Sequence, residues 1–163
     1  MTTAPDLFIG ILASAALSAS GEEVQAAVVD DMLERLDSDG DLDRQIARSR
    51  TTSKEAGDFG MEIASALLIP VLIEAAKGLW AAYVKKLGEK AGGQLAELTY
   101  KQAAKLANWL FTGEERDKAE ADFDGLLRAA AGRHGLSPEQ VEVLVSAVRS
   151  PEMRAALETQ TKV

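Results

Sequence analysis

Apolar residues recur along this chain three or four positions apart, which is the spacing of one face of an α-helix. Strand-like alternation with β-branched or aromatic enrichment is nearly absent, and no Asn-Gly or Asp-Gly turn joins two such stretches. The pattern predicts an all-α fold, a helical bundle of about seven to eight helices. Because no linker is long or simple enough in composition to separate two units, we expect a single helical domain over residues 1–163.

The most apolar helix is predicted at the start of the chain. Leu7 to Ala19 carries no charge, and Asp6 before it is a candidate N-cap. The stretch is too short for a transmembrane helix, which needs about 20 apolar residues. The Lys or Arg residues of a secretory signal are missing before it. A helix that is apolar all round is usually surrounded by other helices, so this one is expected to be buried in the bundle.

A second apolar segment, Ile63 to Val84, reaches spanning length but contains Glu74 and Lys77. Both charges are costly at the depth of a bilayer, so the segment is predicted to be a long central helix in the core of the bundle. Pro70 removes one backbone donor and crowds the carbonyl four residues before it. A kink or a break is therefore expected at Ile69 to Pro70.

Capping signals divide the rest of the chain. Boxes of the Ser/Thr-x-x-Glu type begin at Ser20, Thr52 and Thr112, and Ser-Pro-Glu starts at Ser137 and Ser150 place proline at the first helical position. With the apolar spacing, these signals predict a helix after Ser20 that ends in the acidic turn Asp37–Gly40, followed by a short helix over Asp41–Arg48. They also predict a helix over Gln94–Phe111 that stops at Gly113, and a further helix that is closed by the glycines of Gly132–Gly135.

Composition excludes several chemistries. The chain has no cysteine and a single histidine, His134, so thiolate metal sites, cysteine nucleophiles and histidine pairs are ruled out. His134 lies at a predicted helix end, where a capping or surface role is expected. An EF-hand with Gly40 as its sixth residue would place Arg35 and Ile46 at positions that need acidic ligands. Phosphate-loop and dinucleotide-binding glycine patterns are absent as well. We therefore expect a protein that is not an enzyme and that binds no metal or cofactor.

The charge is unevenly distributed. The net charge is −8, with −6 in residues 1–50, +1 in residues 51–113 and −3 in residues 114–163. Both tryptophans, both tyrosines and most of the lysines fall in the segment 77–113, and the candidate interface consists of Lys77, Trp80, Lys85, Lys86, Lys90, Lys101, Lys105 and Trp109. Such a segment is typical of a surface that meets a membrane or an acidic partner. Alternatively, the aromatic residues are core and the lysines are a solvated face. Nucleic acid is not expected as a partner, because arginine is absent from the segment and the chain is acidic.

The apolar opening, Leu7-Phe8-Ile9-Gly10-Ile11-Leu12-Ala13-Ser14-Ala15-Ala16-Leu17-Ser18, resembles the glycine- and alanine-rich first helix of HeLo-type cell-death domains and of their bacterial counterparts, the Bell domains. The resemblance covers this helix alone. It implies a helical bundle that stays inactive until it clusters, after which the N-terminal helix enters and permeabilises a membrane. The inserting residues that it implies are Leu7, Phe8, Ile9, Ile11, Leu12 and Leu17.

Two functions are consistent with these features. The first is a cytoplasmic effector or interaction module of the cell-death or defence type, which associates with a membrane after assembly through Leu7 to Ala19 and Lys77 to Phe111. The second is a soluble adaptor or oligomerisation domain whose acidic face, Glu23 to Asp43, binds a partner's basic surface. That partner could be a second copy, through its Lys85 to Lys105 segment.

Overall fold

The computed structural model describes residues 4–21, 26–31, 60–90, 92 and 99–161. These residues form seven helices and no strand: α1 (Ala4–Ala19), α2 (26–31), α3 (Gly60–Lys90), α4 (Tyr100–Thr112), α5 (Arg116–His134), α6 (Pro138–Val148) and α7 (Pro151–Thr161). The prediction of an all-α bundle is confirmed. Four predictions lie outside the described residues, namely the capping boxes that end at Glu23 and Glu55, the acidic turn Asp37–Gly40 and the helix Asp41–Arg48.

Helix α1 lies at the centre of the described bundle. It packs against α3, α4, α6 and α7, and every residue from Leu7 to Leu17 is buried. The predicted burial of an all-round apolar helix is thus confirmed. Asp6 lies within the first turn of α1, so its prediction as the N-cap is wrong, although an acidic side chain there still favours the positive end of the helix dipole.

Helix α3 continues through Pro70 without interruption, so of the kink or break predicted at Ile69 to Pro70 the break is wrong, while the kink stays a prediction. A proline inside a helix removes one backbone hydrogen bond but leaves the flanking residues free to pack. Ile69 and Val71, on either side of it, are 2% and 0% exposed, and α3 packs on both α1 and α5. This tertiary packing outweighs the local preference of proline.

Helix α4 begins later than the apolar spacing indicates. Thr99 is extended and caps the helix: its side chain accepts from the Gln102 amide, and the Gln102 side chain accepts from the Thr99 amide. The prediction of one helix from Gln94 to Phe111 is therefore wrong at its start. The sequence did carry the signal, because Thr99-x-x-Gln102 is itself a capping box.

The remaining helix ends follow local chemistry in most places. Helix α5 begins at Arg116, and the Thr112 hydroxyl donates to the Asn108 carbonyl of the preceding helix, so the predicted start at Thr112 is wrong. The two Ser-Pro starts are confirmed, since the Ser137 and Ser150 hydroxyl oxygens each accept an amide hydrogen bond at 3.3 Å. Gly135 ends α5 with φ of 73°, a left-handed conformation that suits glycine.

Candidate functional site

The six residues that the resemblance assigns to membrane insertion all lie in the core. Leu7 is 9% exposed and Ile9 is 2% exposed, while Phe8, Ile11, Leu12 and Leu17 are fully buried; together they are Leu7, Phe8, Ile9, Ile11, Leu12 and Leu17. In this conformation none of these six side chains is available to a membrane. Any insertion would first require the neighbours of α1 to separate.

Aromatic packing fixes the first turns of α1 against α3. The Phe8 and Trp80 rings lie 5.1 Å apart between centroids and are tilted by 60°. Tilted aromatic pairs of this kind contribute beyond their buried area. Phe8 is fully buried, whereas Trp80 is only partly buried. Trp80 is therefore part of the wall around α1 rather than a freely exposed interfacial ring.

Few polar contacts hold α1 among those the structure describes. The Ser14 hydroxyl donates to Asp30 of α2 at 2.6 Å. The Gln160 side chain of α7 donates to the Ile11 carbonyl at 3.4 Å and accepts from the Tyr100 hydroxyl at 2.8 Å. Between Leu7 and Leu17 these contacts accompany the extensive apolar packing of the buried side chains.

The aromatic residues of segment 77–113 divide into two groups. Tyr83 and Phe111 are 3% and 0% exposed and belong to the core, as the alternative interpretation expects. Burial raises the pKa of Tyr83, and the hydrogen bond that its hydroxyl donates to Asp122 at 2.7 Å raises it further. Trp80, Tyr100 and Trp109 are partly buried. Only these three can contribute to a surface.

Five of the predicted lysines lie at the end of α3 or on α4, the helix that carries Trp109. The Lys90 ammonium lies 5.7 Å from the centre of the Trp109 ring, and this contact joins the end of α3 to α4. Lys105 and Lys101 lie one and two helical turns before Trp109, and all five lysines are exposed. We call this set the lysine–tryptophan surface; it consists of Lys85, Lys86, Lys90, Lys101, Lys105 and Trp109.

The other two predicted interface residues, Lys77 and Trp80, lie elsewhere on α3. Trp80 precedes Lys90 by ten residues, which is about 15 Å along a helix axis. Its ring contacts Phe8, and Lys77 is only partly exposed. The single interface predicted from the sequence is thus two regions, one against α1 and one around Trp109.

The described arginines and most of the described lysines differ in their pairing. All five described arginines lie within 4.0 Å of a carboxylate, namely Arg116, Arg128, Arg133, Arg149 and Arg154. Lys86 pairs with Glu115 at 2.8 Å. Within the described part of the chain, Lys85, Lys90, Lys101 and Lys105 have no such ion pair, and neither has Lys118 on α5. Four of these five lysines lie at the end of α3 and on α4.

A charged cluster of Glu74, Arg133 and His134, which the sequence did not predict, joins α3 to α5. Glu74 accepts from the Arg133 Nε at 2.6 Å, and its second oxygen lies 2.7 Å from His134 Nε2. Burial raises the pKa of Glu74, but hydrogen bonds and charge from Arg133 and His134 outweigh it, so the pKa falls below its ordinary value. About 60 residues separate the partners, so no local spacing could indicate this contact.

This cluster gives a pH-dependent prediction. We expect Glu74→Gln to lower the free energy of unfolding at pH 7 by up to about 1 kcal/mol, the upper end for exposed ion pairs. Because the folded-state pKa of Glu74 is depressed, its contribution is complete above the ordinary value of 4.5 and is lost as the pH falls through the lower folded value. Urea unfolding of both proteins from pH 7 to pH 3 measures this. A difference that grows on acidification would contradict it.

Apart from α1 and the lysine–tryptophan surface, a metal-binding cluster or a cavity could also mark a functional site. The described residues contain no cluster of His, Asp and Glu able to hold a metal ion. An open groove of about 250 Å³ between α5 and α6 is lined in part by Leu136 and Val141, with the Arg128–Glu142 ion pair beside it.

Most of the predicted acidic face, Glu23 to Asp43, lies outside the described residues. The part that is described includes Asp30 and Asp31, and both are exposed.

Two features therefore remain as candidate functional elements: the buried helix α1 and the lysine–tryptophan surface. Of the helices in the described ranges, none combines the length and apolar character that crossing a bilayer requires. No protein-family model, curated protein or solved structure matches this chain.

Proposed function

We propose that this protein is a non-enzymatic helical effector that perturbs membranes after assembly, in a cell-death or defence role, and that α1 is the element that it releases. The observation that carries the proposal is the burial of α1. From Leu7 to Ala19 the helix has no charged residue, and it is buried from Leu7 to Leu17. A helix that is apolar on every side is stable in a bundle core or in hydrocarbon. It therefore has a second favourable environment once its neighbours move apart.

The contacts of α1 support this exchange of environments. Over the buried stretch Leu7 to Leu17, the described polar contacts are at Ser14 and at the Ile11 carbonyl, and the other side chains are apolar. Lipid chains can replace apolar packing, whereas they cannot replace a network of buried ion pairs. The stabilisation that α1 loses when it leaves the bundle is thus largely regained when it enters a bilayer. Such a pair of states makes a switch when an assembly step favours one of them.

The length of α1 limits how it can act. Its 16 residues extend over about 24 Å, which is less than the roughly 30 Å of the hydrocarbon core. One copy can enter a leaflet or lie along the interface but cannot span the membrane. Several copies inserted close together would thin and disrupt the bilayer. Permeabilisation should therefore depend on clustering.

The experiment is dye leakage from anionic liposomes by the purified protein, alone and as a fusion whose partner is crosslinked into clusters. We expect clustering to increase the leakage rate at equal protein concentration. Absence of leakage at every concentration, in both forms, would show that the proposal is wrong.

A matched pair of variants tests the role of α1 directly. Leu12→Asn places an amide on the buried surface of the helix, and Ser18→Asn places the same amide at an exposed position. Leu12→Asn weakens the bundle, so leakage by simple unfolding would rise. If α1 inserts, Leu12→Asn should leak less than a variant of equal stability whose α1 is unchanged, because the amide enters hydrocarbon. Ser18→Asn should leak at the wild-type rate.

A further inference from the structure

The lysine–tryptophan surface carries positive charge that the described part of the protein does not neutralise. We infer that this surface binds the headgroups of an anionic phospholipid bilayer, with the end of α3 and the exposed face of α4 turned toward the membrane. Its biological purpose rests on the proposed function, but the binding itself does not require α1 to leave the bundle. Surface binding and α1 release are separate steps that can be measured separately.

Charge complementarity is the first argument. The chain has a net charge of −8, yet Lys85, Lys90, Lys101 and Lys105, at the end of α3 and on α4, have no carboxylate partner in the described structure. At physiological salt the repulsion from distant acidic residues is screened beyond about 8 Å. Charges at the point of contact therefore dominate. Each lysine near an anionic membrane surface adds measurable attraction.

The type of cation is the second argument. Recognition of a carboxylate on a protein partner usually depends on arginine, whose planar group makes two hydrogen bonds in a fixed geometry. In the described structure every arginine already pairs with a carboxylate, and the surface contains only lysines. A flexible ammonium group suits mobile phosphate headgroups, which present charge without fixed geometry. The surface thus fits lipid better than an acidic protein.

The position of Trp109 is the third argument. Trp109 is partly buried against the hydrophobic core, and its ring lies 5.7 Å from the Lys90 ammonium. Tryptophan favours the headgroup level of a bilayer, where one part of the ring is apolar and the other is hydrated. The long apolar stems of the lysines can lie alongside it while their charges reach phosphates. Together these side chains form an interfacial surface without a deep pocket.

The test compares two double variants that remove the same charge. Lys101→Gln with Lys105→Gln removes two cations of the surface. Arg128→Gln with Arg149→Gln removes two exposed cations that pair with Asp124 elsewhere. Each protein is sedimented with vesicles of phosphatidylcholine alone and of phosphatidylcholine mixed with phosphatidylserine. Thermal melting confirms that all of them are folded.

We expect the wild-type protein to bind only the vesicles that contain phosphatidylserine. The lysine double variant should bind at least tenfold more weakly, since each lysine is expected to contribute on the order of fivefold. The arginine double variant should stay within about twofold of the wild type, because its cations are already paired. Equal loss in both variants, or no wild-type binding, would overturn the inference. So would loss of self-association in the lysine variant with vesicle binding unchanged, which would assign the surface to a second copy.

Fluorescence gives an independent readout. In Trp80→Phe only Trp109 emits, and the aromatic contact with Phe8 is largely kept. Vesicles with phosphatidylserine should shift this emission to shorter wavelength, and an unchanged spectrum would contradict the inference. Binding without dye leakage would support the inferred lipid-binding surface and count against the proposed release of α1. If the lysine variant bound the vesicles as tightly as the wild type and still caused leakage, the result would support the release of α1 and count against the surface.

Discussion

Replacement of Phe8 by alanine is expected to lower the free energy of unfolding by about 3–5 kcal/mol, the range for a buried phenylalanine. Phe8 is fully buried and its ring packs on Trp80 at 5.1 Å. The substitution removes this aromatic contact and leaves a cavity between α1 and α3. Urea unfolding followed by circular dichroism measures the loss. Tryptophan emission should also shift to longer wavelength, because Trp80 becomes more hydrated.

The matched control for Phe8 is Val143→Ala. Val143 is the most exposed large apolar side chain in the described structure, at 54%, so its truncation should change the stability by less than about 0.5 kcal/mol. A loss below about 1 kcal/mol for Phe8→Ala would mean that α1 is not packed as the structure shows. Such a result would also remove the basis of the proposed function. The buried helix is therefore tested without any membrane.

Features of the fold that depend on neighbouring residues could be predicted from the sequence. Ser137 and Ser150 start helices because hydroxyl, proline and glutamate favour a helix N-terminus within four residues. Leu7 to Ala19 is buried because an uncharged helix has no polar face to turn outward. The errors at Pro70 and Thr112 have different causes. Packing on two other helices outweighed the local preference for a break at Pro70, and the Thr112 hydroxyl bonds back to the Asn108 carbonyl of its own helix instead of capping the next one.

Features of the candidate site that depend on distant residues could not be predicted. The sequence placed Lys77 and Trp80 in one interface with Trp109, because all three lie within about 30 positions. Whether two residues on different helices share a surface depends on how the helices cross. The spacing of residues within one helix does not reveal that geometry. The pairing of cations is only partly visible in the sequence. Arg116–Glu120 and Arg128–Asp124 have the i, i+4 spacing of one helix, but the contact of Arg149 with Asp124 appears only after two helices are placed side by side.

A second substitution separates the stability of the bundle from the chemistry of α1. Phe123 is fully buried on α5, and its ring meets Phe111 of α4 edge to face at 5.8 Å. Phe123→Ala should lower the free energy of unfolding by about 3–5 kcal/mol, as Phe8→Ala does. It leaves every inserting residue of α1 unchanged, and α5 is not among the main neighbours of α1. The two variants therefore have similar stability but different released helices.

If release of α1 limits permeabilisation, Phe123→Ala should leak dye faster than the wild type. A loss of about 4 kcal/mol raises the opened population by roughly a thousandfold while the opened form is rare. Phe8→Ala should leak more slowly than Phe123→Ala at matched stability, because its released helix has lost one large apolar side chain. Stability is measured by urea unfolding and leakage with the same anionic liposomes. Equal leakage by the two variants would mean that exposed core, rather than α1, disrupts the membrane.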